Sequence, residues 1–158
     1  MARGRQQGFT YFAILFAVAV VGLASATAAT SWHLSSLREK ERQLLATGAE
    51  LRTAIERYVT STPSGRRQYP RRLEDLVRDP RHPGIVRHLR RLRADPLTGG
   101  EEWGLVRAAD GGIMGVYSLA PGRPLKTGHF GLRDARFAGA ESYRDWVFIY
   151  RDRFAGSP

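Results

Sequence analysis

The side chains that most often carry catalysis or bind metals are few in this chain and do not cluster. None of the 158 residues is cysteine, which excludes thiol catalysis, thiolate metal sites and disulfides. The histidines have none of the spacings typical of metal ligands: His33, His82, His88 and His129. Near the C-terminus, we expect Glu141 and Asp145 to pair with Arg144 or Arg151 at the surface and not to act as an acid–base pair. The sequence therefore predicts neither an enzyme nor a bound cofactor.

The net charge is strongly positive, at +10, and arginine supplies nearly all of it because Lys40 and Lys126 are the only lysines. We interpret this charge as a solvated basic surface. A second hypothesis is a polyanion-binding surface, in which the arginines of one short segment contact phosphates: Arg87, Arg90, Arg91 and Arg93. The first interpretation is favoured, so nucleic acid is not an expected partner.

No charged residue occurs over positions 9–29, which are mostly apolar. A helix of about 20 apolar residues is long enough to cross a bilayer. The residues before it include Arg3 and Arg5, which the positive-inside rule places in the cytoplasm. The predicted organisation has four parts: a leader (1–8), a membrane span (9–31), an amphipathic stalk (32–61) and a headpiece outside the cytoplasm (62–158).

The motif Gly8-Phe9-Thr10-Tyr11-Phe12, followed by apolar residues, resembles the class III signal of type IV pilins and type II secretion pseudopilins. The resemblance implies that a prepilin peptidase cuts between Gly8 and Phe9 and methylates the new Phe9 amine. Most members of the family carry glutamate at the fifth residue after the cut, where this chain has Ala13. The resemblance therefore implies a minor, tip or otherwise specialised subunit.

The same resemblance implies that the membrane helices of neighbouring subunits pack side by side in a short filament. The residues expected in this packing are Phe9, Thr10, Ala13 and Gly22, the small ones allowing close approach of helices. The implied function is that of a structural subunit of a type II secretion or pilus-like filament, assembled at the bacterial inner membrane for protein export. The implied partners are the prepilin peptidase, other pseudopilins and the inner-membrane secretion platform.

Three other interpretations remain open. A secretory signal peptide normally has a shorter apolar core, although Ala24-Ser25-Ala26 provides the small residues of its cleavage site. A span without processing would make the chain an anchored accessory protein of the envelope. The polyanion hypothesis would make it a DNA-uptake pilin or another minor pilin.

Major pseudopilins bind calcium through a loop near the C-terminus, and the corresponding loop here covers residues 121–142. It contains Asp134 and Glu141 but more basic than acidic residues. Calcium needs several converging oxygen ligands. We therefore do not predict a metal site, and Asp134 is the best candidate ligand should calcium bind.

After the uncharged stretch, the pattern predicts an amphipathic helix over residues 34–59. Its apolar residues recur at spacings of three, four and seven and form one narrow stripe: Leu34, Leu37, Leu44, Leu51, Ile55 and Tyr58. Glu41 and Gly48 interrupt the stripe at in-register positions. One stripe indicates one partner surface, and Pro63 and Gly65 indicate where the helix ends.

The rest of the chain predicts short helices followed by a small antiparallel sheet. The predicted elements are helices at 72–78 and 85–93, a turn at 95–100, and strands at 103–108, 113–119 and 143–150. A hairpin through Asp110-Gly111 joins the first two strands. We expect an α+β fold in which the long N-terminal transmembrane and stalk helix packs on a three-stranded antiparallel sheet. This is the pilin-like arrangement that the resemblance implies.

Overall fold

The structure, a computed structural model, describes residues 6–62 and 67–152, without the side chains at 6–10, 21–31 and 33. The chain divides into two compact units, residues 1–37 and 38–158. The described part of the first unit is the beginning of helix α1, which runs over Gln6–Thr60.

The surface of the first unit is apolar from Tyr11 to Val20. Every residue from Tyr11 to Val20 is exposed, and Phe12 and Phe16 are 73% and 72% accessible. None of these residues is charged, so the helix is apolar on all its sides and not along one stripe.

Among the residues described with their side chains, no helix is both long and apolar enough to cross a membrane. Positions 9, 10 and 21–31 of the predicted span lie outside those residues.

The second unit begins with the remainder of α1, from Arg38 to Thr60. The part of the predicted apolar stripe that lies in this unit is buried, since Leu44, Leu51 and Ile55 are at most 1% exposed. The stripe does not extend to its predicted beginning, because Leu34 is 46% exposed. The stripe joins a single core to which the rest of the unit contributes mainly large side chains: Leu76, Ile113, Val116, Phe137, Trp146 and Phe148. The helix ends at Thr60, where the sequence predicted its end.

A three-stranded antiparallel sheet packs in this core, in the order β1 (Gly104–Arg107), β2 (Ile113–Tyr117) and β3 (Phe148–Ile149). The predicted hairpin joins β1 to β2, with Gly111 at a φ of 80° that other residues rarely adopt. The α+β class, the long helix and the antiparallel sheet are therefore confirmed.

The sheet lies close to α1 at Gly48. A Cβ atom at this position would come within 2.4 Å of the Phe148 ring. Gly48 interrupts the apolar stripe in sequence because the neighbouring ring of β3 occupies the space of a side chain. The expected packing of the stalk helix on the sheet is thus confirmed at β3.

The predicted helix at 85–93 is wrong. The backbone there bonds to the preceding segment, since the amides of His88 and Leu89 both donate to the Leu76 carbonyl and the Asp79 amide donates to the Val86 carbonyl. Ile85, an apolar residue that such a helix would bury, is 70% exposed. These tertiary hydrogen bonds take the place of the local bonds of a helix.

Two other elements are shorter than predicted. The helix expected at 72–78 is a single 3₁₀ turn, Leu73–Leu76. The strand expected at 143–150 pairs only at Phe148–Ile149, because a 3₁₀ turn at Tyr143–Asp145 occupies its first part. A further 3₁₀ helix, Leu132–Phe137, lies in the loop before it.

Candidate functional site

The predicted processing and packing residues all belong to α1. The surroundings of four of them lie outside what the structure describes, so their roles stay a prediction: Gly8, Phe9, Thr10 and Gly22. Ala13, in contrast, is described and exposed, within the apolar surface of the first unit.

The arginines proposed to contact phosphates do not share one helix face, because the segment that carries them is irregular. All four are nevertheless exposed: Arg87, Arg90, Arg91 and Arg93. Arg93 forms an ion pair with Glu50 of α1, with 3.1 Å between its Nε and a carboxylate oxygen. The structure thus gives the segment exposed charge but no ordered row of donors for a phosphate backbone.

The calcium candidate Asp134 is held by an arginine. Its Oδ1 lies 2.7 Å from Nη1 of Arg52, a buried residue of α1. Within the described part of the chain, no group of three or more His, Cys, Asp or Glu side chains is placed to hold a metal ion. Glu141 pairs with Arg123 at 3.1 Å, not with the arginines predicted for it.

The carboxylate of Glu41, on α1, is buried and accepts three hydrogen bonds from the rest of the second unit. It is only 2% exposed and accepts hydrogen bonds from the backbone amides of Leu125 at 2.6 Å and Lys126 at 3.2 Å. The Tyr143 hydroxyl donates a third bond at 2.8 Å. Burial, together with this bond to a carboxylate, raises the pKa of Tyr143, so the hydroxyl remains a donor. Glu41 therefore fastens two parts of the headpiece to the helix.

A second polar cluster lies at the C-terminal end of α1. Both carboxylate oxygens of the buried Asp79 accept bonds from Arg81, at 2.8 and 2.6 Å, and one also bonds His88 Nε2 at 2.9 Å. The Arg81 guanidinium also donates to the Tyr58 carbonyl and Thr62 hydroxyl, each at 2.7 Å, and stacks over the Tyr58 ring at 3.5 Å. Arg81 thus supplies hydrogen bonds to a helix end whose carbonyls have no helical partner.

The electrostatics of this cluster follow from its contacts. Burial alone would raise the pKa of Asp79, but the hydrogen bonds from Arg81 and His88 outweigh it and hold that pKa well below its usual value. Asp79 is therefore charged in the folded protein at neutral pH. Because both of its oxygens are bonded and shielded from solvent, the Asp79–His88 pair serves to join segments of the fold.

Sequence reasoning missed the roles of Glu41 and Arg81. A signal for Glu41 existed, since a carboxylate at an in-register position of an apolar stripe needs buried donors when that stripe is covered. No comparable signal marked Arg81, one of many arginines in the chain.

Compared with protein-family models, curated proteins and solved structures, the chain has no significant match.

Proposed function

We propose that the chain is a pseudopilin-like structural subunit, processed by a prepilin peptidase and assembled from the inner membrane into a type II secretion or pilus-like filament. The observation that carries this proposal is the all-round apolar, exposed surface of Tyr11–Val20 on α1. An exposed apolar surface of this kind is normally covered by lipid or by other helices. The motif at Gly8-Phe9 lies directly before it.

The fold of the second unit supports the same proposal. The end of α1 packs on a small antiparallel sheet, which is the α+β arrangement expected of a pilin headpiece. Glu41 and Arg81 fasten the helix to the headpiece at two separate places. In the proposed mechanism, helices bundle in the filament while the headpieces remain outside the cytoplasm, and growth of the filament pushes exported proteins outward.

The absence of a carboxylate at Ala13 bears on the position of this subunit. In the proposed family, that carboxylate neutralises the amine of a neighbouring subunit. A chain with alanine there lacks the charge for that contact, which fits a specialised subunit better than a self-polymerising one.

The test is the mass of the mature N-terminus, measured on protein recovered from cells that express a prepilin peptidase. We expect the wild-type chain to lose residues 1–8 and to carry one methyl group on Phe9. Gly8→Val should remain full-length, whereas Gly4→Val, the same change within the leader, should be processed as wild type.

Each other result points to a different function. Wild-type protein that retains its leader would refute the proposal and favour an unprocessed envelope anchor. A cut after Ala26 would identify a secretory signal peptide.

A further inference from the structure

An arginine-rich cleft of about 490 Å³ opens in the second unit, among α1, the 3₁₀ helix Leu132–Phe137 and the end of β3. Four arginines and two apolar side chains give it its character: Arg52, Arg133, Arg136, Arg151, Leu132 and Ile149. We call it the arginine cleft. None of the contacts described above for Glu41 or Asp79 involves it.

The arginine cleft has more positive than negative charge. Arg52 is paired with Asp134 at 2.7 Å, and Arg133 lies 3.7 Å from the Glu56 carboxylate. Arg136 donates to the backbone carbonyl of Val147, which neutralises no charge. Arg151 is exposed and has no carboxylate partner among the residues the structure describes. Arg136 and Arg151 therefore form no ion pair with a carboxylate among the described residues.

Two further features of the cleft concern Arg136 and Arg52. Burial lowers the pKa of Arg136, and the nearby charges of Arg52 and Arg151 lower it further, against the smaller opposing effect of Asp134. In addition, Nε of Arg52 is buried and has no acceptor in the described part of the chain, although the residue is only 7% exposed. A buried donor without a partner is uncommon in a folded protein.

The apolar residues of the cleft distinguish between possible anions. Leu132 is 99% exposed, and Ile149 belongs to β3, which pairs only with β2 among the described residues. An exposed leucine in a cleft lined by Arg136 and Arg151 suits a carboxylate side chain with an apolar neighbour on an extended peptide. A phosphate backbone or a free ion would leave the leucine uncovered.

We propose that the arginine cleft binds an acidic segment of a partner polypeptide, with a carboxylate between Arg136 and Arg151 and an adjacent apolar side chain on Leu132. Planar guanidinium groups hold carboxylates through paired, charge-assisted hydrogen bonds. The proposal does not depend on processing of the N-terminus, so it can fail or succeed independently of the proposed function.

The experiment uses the full chain in neutral detergent micelles and a fluorescent peptide of alternating glutamate and leucine, with binding followed by anisotropy. A glutamine–leucine peptide should bind at least about tenfold more weakly, since charge-assisted bonds are the stronger class. Arg151→Gln should weaken binding of the acidic peptide by about tenfold. Leu132→Ser should weaken it by about fivefold.

Arg78→Gln is the matched control, because it removes the same charge from an exposed arginine outside both the cleft and the segment 87–93. It should leave binding within about twofold of wild type. Arg151 and Arg78 are both exposed and make no hydrogen bond through their side chains within the described residues, so the two variants should fold. Absence of binding by the acidic peptide, or equal losses in Arg151→Gln and Arg78→Gln, would overturn the site. Displacement of the peptide by equimolar inorganic phosphate, or no effect of Leu132→Ser, would overturn its assignment to a polypeptide.

Discussion

Glu41→Gln should strongly destabilise the second unit, although it only replaces one carboxylate oxygen by an NH₂ group. The wild-type side chain accepts two backbone amides and one hydroxyl while only 2% exposed. Glutamine offers one acceptor oxygen, so at least one N–H of Leu125 or Lys126 must face an NH₂ group. Loss of charge-assisted bonds and one unsatisfied buried donor together cost about 3 kcal/mol.

The assay is thermal unfolding of the full chain in detergent, followed by near-ultraviolet circular dichroism. A loss of about 3 kcal/mol corresponds to a fall in Tm of roughly 12 °C for a unit of this size. Hydrogen exchange gives a second readout, because the amides of Leu125 and Lys126 should exchange faster in the variant.

Glu39→Gln is the matched control on the same helix. Glu39 pairs with Arg42 at 2.9 Å, but its side chain is 50% exposed, so its loss should cost less than about 0.5 kcal/mol. Tyr143→Phe should cost about 1 kcal/mol alone and less in the Glu41→Gln background, since the two groups share one bond. Equal Tm values for Glu41→Gln and Glu39→Gln would refute the reasoning.

Two further predictions concern buried positions of the second unit. Asp79→Asn should cost about 3 kcal/mol at pH 7 because it leaves Arg81 without its partner. The folded-state pKa of Asp79 lies below its unfolded value, so its stabilisation is present above about pH 4 and is lost as the pH falls further. The Tm difference from wild type should therefore narrow between pH 7 and pH 3, and a constant difference would contradict this account. Gly48→Ala should cost about 1–3 kcal/mol in urea unfolding, because its Cβ would overlap the Phe148 ring. Gly84→Ala, with no atom within 4 Å of its added Cβ, should change stability by less than about 0.5 kcal/mol; equal effects would show that the ring moves freely.

The elements predicted correctly are those that local sequence specifies. The stripe of α1 and its end at Thr60 follow from helical spacing and the breakers after it. The β1–β2 hairpin follows from Asp110-Gly111, because glycine readily adopts the backbone conformation of that turn.

The segment 85–93 shows where local sequence fails. Ile85, Leu89 and Leu92 have helical spacing, and that spacing predicted a helix. The backbone amides of His88 and Leu89 instead donate hydrogen bonds to the Leu76 carbonyl, some twelve residues earlier. The spacing of apolar residues within the segment cannot predict hydrogen bonds to a distant segment.

The polar contacts of the site are harder still to predict, because their partners are remote in sequence. The groups that bond Glu41 lie 84, 85 and 102 positions away. The pattern marks Glu41 as anomalous but cannot choose its donors among so many backbone amides. The arginine cleft is hard to predict for the same reason, since its residues come from three separate segments of the chain.

The spacing of the attachments along α1 has a mechanical consequence. Glu41, Arg52 and the Tyr58 carbonyl each bond a different part of the headpiece. At a rise of about 1.5 Å per residue they are spread over roughly 25 Å of helix axis. A load along the axis is therefore shared among three anchor points, and the helix cannot slip by one turn without breaking all of them together.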